Sequence, residues 1–226
     1  MARLDRLVPV REIAQIGAAI GREFSYRLIE AVAPLKGLAL QDALHQLTAS
    51  ELVYARGAQP ETSYIFKHAL VQDAAYATLL RGRRQRIHAD IARALTERFA
   101  DQVESAPAVI AHHYAEAGLP EPAVRYWLKA AELALSRSAT VEAVRYGDAG
   151  LSLIPRLADG TERRALELAF QIARGNALLG LKGFSAPETI AAMTEESHEH
   201  QPPGVERRQR GGSDDAEEGV DRAVAV

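Results

Sequence analysis

The spacing of hydrophobic residues over 1–104 predicts three short helices followed by a β-hairpin. The second helix has Ser25 as a candidate N-cap and ends near Ala33, ahead of a proline and a glycine. Extended patterns then occupy 52–56 and 63–68, which flank a turn segment containing glycine and proline. The helical stripes are Val10, Ile13, Gly17 and Ile20 in the first helix and Leu40, Leu44 and Leu47 in the third.

Two more helices are predicted after the hairpin, over 69–80 and 83–100. The second of these repeats an apolar residue every four positions, which is typical of a helix with one buried face. Three helices followed by a two-stranded hairpin is the layout of a winged helix. We therefore expect a winged-helix-like domain with linker helices over 1–104.

Residues 105–197 are predicted to be helical and to contain an internal repeat. Ala-Val-Arg-Tyr occurs at 123–126 and again at 143–146, each time opening a helix. Five positions match the spacing of one tetratricopeptide unit, in which small residues let two helices cross and an aromatic side chain fills the wedge. Helices near 108–117 and 161–181 flank this unit. The predicted repeat core is Trp127, Ala131, Ala143, Gly150 and Pro155.

The predicted fold class is mainly α. We expect a winged-helix-like domain with one β-hairpin, followed by an α–α superhelix of tetratricopeptide-like repeats. The net charge of −3 divides into +2 over 1–104, −2 over 105–197 and −3 over 198–226. The last region contains no Leu, Ile, Phe, Tyr or Trp. Because it has too little apolar surface to offset the entropy of ordering, we expect 198–226 to be a disordered tail.

The composition of the 226 residues, 47% hydrophobic and 25% charged, is that of a globular protein. The chain has no cysteine, which excludes disulfides, thiolate metal sites and thiol catalysis. The N-terminus lacks the apolar run of a secretory signal, and no stretch approaches the roughly 18 apolar residues of a membrane helix. We therefore expect a cytoplasmic protein with no membrane partner.

The sequence predicts no catalytic or cofactor-binding residue. Residues 175–182 have the glycine spacing of a phosphate loop, but Leu181 occupies the lysine position and no strand precedes the segment. The nucleophile elbow Gly-x-Ser-x-Gly is absent. For His68 and Asp73, a contact at the start of a helix is favoured over acid–base chemistry, because a carboxylate in a first turn interacts well with the helix dipole. We expect a protein that is not an enzyme and binds no cofactor.

The histidine pairs do not predict a metal site. His112 and His113 point about 100° apart on a helix, so they do not readily bind one ion, and a polar contact on or between helices is favoured. His198 and His200 lack the His-Glu-x-x-His spacing of a zinc helix.

DNA binding is the alternative function that the sequence leaves open. A basic cluster lies at the start of the helix predicted over 83–100, and winged helices often bind DNA. The helix that would enter the major groove, near 38–51, instead carries Asp42 and Glu51. Because phosphate contacts dominate affinity for DNA, an acidic recognition helix argues against this function. The basic cluster consists of Arg81, Arg83, Arg84 and Arg86.

Four segments resemble one bacterial family of signalling proteins. This family has an AAA-type, STAND-class NTPase core, often fused to a class III adenylate cyclase and followed by tetratricopeptide repeats. The resemblance covers about 1–197. It is carried by Ala-Ala-Ile-Gly-Arg-Glu-Phe-Ser (18–25), Phe-Lys-His-Ala-Leu-Val-Gln-Asp-Ala-Ala-Tyr (66–76), His-His-Tyr-Ala-Glu-Ala-Gly (112–118) and Lys-Gly-Phe-Ser-Ala-Pro-Glu (182–188).

The resemblance implies a regulatory fragment without catalytic residues. In the family, the nucleotide-binding and cyclase motifs lie upstream of the region that this chain matches, and neither occurs here. Met1 to Leu7 resembles family sequence after the NTPase core, which predicts an internal start. Family-like sequence stops near Ser197, so we hypothesise a reading-frame change there, which translation of the DNA in the other frames would test.

The expected partners are other proteins or the missing NTPase domain. We expect the hairpin and the helix that follows it to contact that domain, and the helix at 161–181 to support self-association through an uncovered apolar face. The candidate contact residues are Phe66, Lys67, His68, Gln72, Asp73 and Tyr76, together with the four arginines of the basic cluster.

Overall fold

Residues 8–58 and 61–182 are those that the structure, a computed structural model, describes. They are mainly helical, with one small antiparallel sheet. The first half comprises α1 (Val8–Ile20), β1 (Glu23–Ser25), α2 (Tyr26–Val32), α3 (Gly37–Ala49), β2 (Val53–Arg56), β3 (Ser63–Phe66) and α4 (Ala69–Ala77). The second half comprises α5 (Arg81–Arg98), α6 (Ala100–Ser105), α7 (Pro107–Glu116), α8 (Pro120–Ser136), α9 (Thr140–Leu151), a 3-10 turn (Ile154–Arg156) and α10 (Thr161–Lys182).

The three helices predicted at the start of the chain are confirmed. The Oγ atom of Ser25 accepts a hydrogen bond from the Leu28 backbone N–H at 3.2 Å, which caps α2. Leu40, Leu44 and Leu47 of α3 are fully buried, so the predicted stripe faces the core. The core of this half lies between α1, α2, α3, α5 and one face of the sheet.

The predicted hairpin is present, but it belongs to a three-stranded sheet of order β1-β3-β2. Both neighbours run antiparallel to β3, with Phe24 opposite Tyr64 and Val53 opposite Phe66. The sequence did not predict β1, because three residues are too few to show an alternating pattern. The extra strand makes β3 the central strand and places its aromatic residues in the core.

Gly17 of α1 allows the sheet to approach that helix closely. A Cβ atom at this position would lie 2.7 Å from the Phe24 ring. The Phe24 ring in turn stacks on Tyr64, with ring centroids 5.6 Å apart, and meets Phe66 at 5.8 Å. The glycine in the first predicted stripe is therefore required by packing.

The helix predicted over 83–100 is present as α5, with each end two residues earlier than predicted. α5 ends at Arg98, Phe99 adopts a non-helical backbone (φ −128°, ψ 61°), and the short helix α6 follows. α7 then packs along α5 and α8, and the Tyr114 and Tyr126 rings stack with centroids 5.8 Å apart. α5 also packs on α1 and α2, so it connects the core of the first half to α7 and the helices that follow.

Helices α8, α9 and α10 pack on one another in succession, and α10 also contacts α8. Gly150 lies where α9 meets α10, and a Cβ atom there would lie 2.1 Å from the Phe170 ring, which is fully buried. Ala131 and Ala143, two other positions of the predicted repeat core, are also fully buried.

The other two positions of the predicted repeat core are less buried. Trp127 is half-buried, packs against the core formed by Val124, Ile154 and Phe170, and stacks on Tyr146 with ring centroids 5.6 Å apart. Pro155 is exposed, because the residue of its 3-10 turn that enters the core is Ile154. The predicted repeat positions at the helix crossings, Ala131, Ala143 and Gly150, are therefore buried as expected, whereas Pro155 at the end of the unit is not.

No helix in the described part of the chain is both long and apolar enough to cross a membrane. The predictions for His198, His200 and the tail at 198–226, and the change of sequence near Ser197, lie outside the described residues.

Candidate interaction surface and histidine junction

An apolar cleft lies between α1 and α4, above the end of the sheet. Its volume is about 340 Å³. Phe66 forms its buried floor, and Leu70, with 80% of its surface exposed, stands at its rim. An exposed leucine beside an apolar cleft is a common feature of protein interaction sites. The remaining lining residues are Arg11, Ala14, Gln15, Leu52, Val71, Ala74, Ala75 and Thr78.

Hydrogen bonds hold α4 at the edge of this cleft. No residue of α4 is fully buried, so packing alone fixes the helix weakly. The Gln15 side chain donates to the Thr78 hydroxyl at 2.8 Å, and the Gln72 side chain donates to the Ala18 carbonyl at 3.3 Å. These contacts join α4 to α1 while leaving the apolar face of α4 open.

The residues predicted to contact a partner do not share one surface. Phe66 is buried, whereas Lys67 is exposed and pairs with Glu51 at 2.8 Å. His68 and Asp73 are also exposed. Asp73 lies beyond the first turn of α4, so the predicted contact of its carboxylate with the helix start is wrong.

The four arginines of the basic cluster make different contacts. Arg83 pairs with Glu12 of α1, and Arg84 lies over the Tyr76 ring, 4.5 Å from its centroid. Arg86 bonds to the Gly82 carbonyl within its own helix, while Arg81 is exposed. Because three of the four make contacts within the protein, the cluster does not form a continuous basic surface.

The helix that would read DNA in a winged helix carries no basic residue. Its outward positions include Leu38, Asp42 and His45, all exposed. The objection raised by the sequence therefore also holds for the folded surface.

A buried chain of polar rings connects α4, α5 and α7. The Tyr76 hydroxyl lies 2.9 Å from Nε2 of His88, and Nδ1 of His88 lies 2.8 Å from Nδ1 of His113. The ring of His112 packs edge-on against His88, with centroids 5.9 Å apart. We call Tyr76, His88 and His113 the histidine junction.

The junction keeps both of its imidazoles neutral. Burial, with smaller contributions from His112 and Arg84, lowers the pKa of His88 to about 4. Burial, with the neighbouring His88 and His112, lowers the pKa of His113 to about 3. Burial also raises the pKa of the Tyr76 hydroxyl, helped by the nearby Glu116 carboxylate. The described residues contain no group of three side chains arranged to bind a metal ion.

Sequence reasoning did not identify His88 as a partner of His113. The two histidines lie on separate helices, and nothing local in the chain shows that they meet. One signal was available in the sequence: His88 directly follows Ile87, which belongs to the apolar face of α5. A polar residue close to a buried face needs a hydrogen-bond partner.

Comparison with curated proteins found a relative that is 30% identical over 186 residues, an uncharacterized protein of Rhizobium meliloti (strain 1021). The match covers 82% of this chain and 18% of the relative, so the chain spans about a fifth of the length of that protein. The sequence matches no known family profile. No solved structure matches the chain.

Proposed function

We propose that this chain is a non-catalytic regulatory and protein-interaction segment of a larger cytoplasmic signalling ATPase. In this proposal, α1 to β3 form a winged-helix-like module and α7 to α10 form tetratricopeptide-like helical pairs. The observation that carries the proposal is the open apolar cleft between α1 and α4, with Leu70 exposed at its rim. The cleft is the contact site for a nucleotide-hydrolysing core domain.

The length of the relative supports a larger context for the chain. A protein more than five times longer than the matched region has room for further domains outside that region. Because the segment at 66–76 resembles the signalling family, we expect the domain next to this chain in the longer protein to be an NTPase core of the STAND class. The most specific of these segments contains α4, the helix that lines the cleft.

The packing between α5 and α7 gives a route for regulation. A ligand or protein bound by α7 to α10 changes the orientation of α4 only if the intervening helices move together. The histidine junction supports this route, because it connects α4, α5 and α7 through two hydrogen bonds, of which the one between His88 and His113 is buried. In this proposal, α4 has two orientations, which correspond to two states of the NTPase domain. A ligand that binds the helical pairs more tightly in one orientation shifts the NTPase domain toward the corresponding state.

Binding to the core domain tests the proposal. The DNA adjoining this coding sequence is expected to encode an NTPase domain, which can be produced separately and titrated with the present chain by calorimetry. Leu70→Glu should weaken binding at least tenfold, since a carboxylate at the rim would be desolvated in the complex. Val141→Glu is the matched control, because Val141 is an exposed apolar residue on α9 that does not line the cleft.

Three outcomes would contradict the proposal: no NTPase domain in the adjoining DNA, no binding of that domain, or equal binding by the Leu70→Glu variant. ATP turnover by the present chain would contradict its non-catalytic assignment. The competing DNA-binding function predicts retention of duplex DNA that weakens steeply with salt. We expect no such retention, because the outward face of α3 lacks basic residues.

A further inference from the structure

Three arginines converge on one pocket that the proposed function does not use. The pocket has a volume of about 370 Å³ and lies between the start of α5, the turn from α7 to α8, and the 3-10 turn after α9. Arg81 and Arg84 are three positions apart on α5, so they share one face of that helix. Arg156 comes from the 3-10 turn and completes the group.

The positive charge of this pocket is poorly neutralised. Glu116 is the one carboxylate that lines it, and this side chain is also drawn to the Tyr76 hydroxyl. Arg81 and Arg156 make no ion pair or hydrogen bond with any other described side chain, whereas Arg27, Arg83, Arg93, Arg125, Arg163 and Arg174 each pair with a carboxylate.

Arg84 shows the same deficit at a buried atom. Its Nε is enclosed and has no hydrogen-bond partner among the described residues, although its terminal nitrogen reaches the Leu79 carbonyl. A buried donor without a partner is destabilising. The Nε itself is enclosed, so an anion in the pocket would stabilise Arg84 through the charge of its guanidinium group.

The pocket is shaped by Gly118 as well as by charge. A Cβ at Gly118 would lie 3.1 Å from Nε2 of Gln85, which also lines the pocket. The glycine therefore leaves room for an amide donor beside the three guanidinium groups. Guanidinium forks bind the oxygens of phosphate in pairs, and this preference distinguishes phosphate from a monovalent halide.

We propose that this pocket, formed by Arg81, Arg84 and Arg156, binds the phosphate groups of a small diphosphate compound. Two linked phosphates match three guanidinium groups better than one phosphate does, since each guanidinium then finds its own oxygens. The uncapped start of α5, which has no acidic residue in its first turn, adds to the same positive field. This inference is independent of contact with an NTPase domain, because the pocket and the α1–α4 cleft have no lining residue in common.

Titration with inorganic pyrophosphate at about 50 mM salt tests the proposal, followed by calorimetry and by the shift in melting temperature. We expect saturable binding by the unmodified chain. Arg81→Gln and Arg156→Gln should each weaken it about tenfold or more, which corresponds to one charge-assisted hydrogen bond. Arg137→Gln is the matched control, because Arg137 is exposed on another surface and loses the same charge.

ADP is titrated in parallel to identify the source of the diphosphate. Binding of ADP as tight as that of pyrophosphate indicates a nucleotide ligand, and binding of pyrophosphate alone indicates a free diphosphate. Absence of saturable binding of either compound overturns the proposal. Equal weakening by Arg137→Gln also overturns it, since that result shows general charge attraction without a site. Both arginines tested are exposed, and unchanged melting curves without ligand show that the variants fold.

Discussion

Nδ1 of His88 and Nδ1 of His113 lie 2.8 Å apart, and the two side chains are only 1% and 2% exposed. Two imidazole nitrogens at this distance share one hydrogen, so one ring donates and the other accepts. At least one of the two rings must be neutral for this arrangement to hold, because two protonated rings leave no acceptor nitrogen between them. The contact between α5 and α7 therefore depends on the protonation state of two histidines.

We predict that the protein loses stability as the pH falls from 7 to 5. The pKa of each histidine is ordinarily 6.5 and is lower in the folded protein. The unfolded chain therefore binds more protons in this window, and stability decreases as the pH falls through it. For one such histidine the loss is about 2 kcal/mol at pH 5. Urea denaturation at pH 5, 6 and 7 measures the effect.

The variants His113→Gln and His45→Gln separate the junction from other titrating groups. The titratable and charged groups near the junction are Tyr76, Arg84, His112 and Glu116. None of them takes the place of the hydrogen bond between the His88 and His113 rings. His113→Gln should reduce the pH dependence by about half. His45 is exposed, and its replacement should leave the pH dependence unchanged. Equal stability of the unmodified chain at pH 5 and pH 7 would disprove the assignment.

Gly150→Ala should destabilise the packing of α9 on α10. The added methyl group would overlap the buried Phe170 ring, so α10 must shift or the ring must leave its rotamer. Overpacking of this kind costs about 1–3 kcal/mol. Gly160→Ala, which has open space around the added methyl group, should change the free energy of unfolding by less than about 0.5 kcal/mol. Similar unfolding midpoints for the two variants would contradict this account.

Trp127→Ala should cost less than the removal of a fully buried tryptophan. Its ring is half-buried and stacks on Tyr146, so part of its surface is already in contact with water. We expect a loss of about 2 kcal/mol, below the 3–5 kcal/mol of an enclosed aromatic. Thermal unfolding of the variant measures the loss, and an unchanged melting temperature would remove Trp127 from the packing of α8 on α9.

Self-association through α10 stays a prediction. The helix buries Phe170, Ala173, Ala177 and Leu178, while Ile172 and Leu181 are exposed. Nine positions separate these two residues, so they lie on opposite sides of the helix, and Ile172 is the candidate contact for weak association that increases with concentration. Sedimentation equilibrium should show it, and Ile172→Glu should reduce it. A monomer at all concentrations would contradict the prediction.

The sequence was sufficient where a fold element depends on its own residues. Ser25 caps α2 because its hydroxyl is three residues from the N–H it accepts from, and Leu40 and Leu44 are buried because helical spacing puts them on one face. These are local relationships. The hairpin was predicted for the same reason, since both strands and their turn lie within one short segment.

The sequence was insufficient where distant residues meet. β1 is too short to show a pattern, and it forms only because β3 offers an unpaired edge. His88 and His113 lie on different helices, and Arg156 reaches the α5 pocket from the far end of α9. Pairings of this kind are determined by the packing of whole helices. No local propensity encodes them.

The pairing of β1 with β3 has a consequence for how the chain folds. Glu23 and Ile65 are register partners, and the intervening chain of about 40 residues holds α2 and α3. The hairpin between β2 and β3 closes a short loop and forms early, whereas β1 joins only when the long loop closes. We therefore expect addition of β1 to be the late step of folding in this half of the molecule. Mutations at Phe24 should accelerate unfolding more than they slow folding.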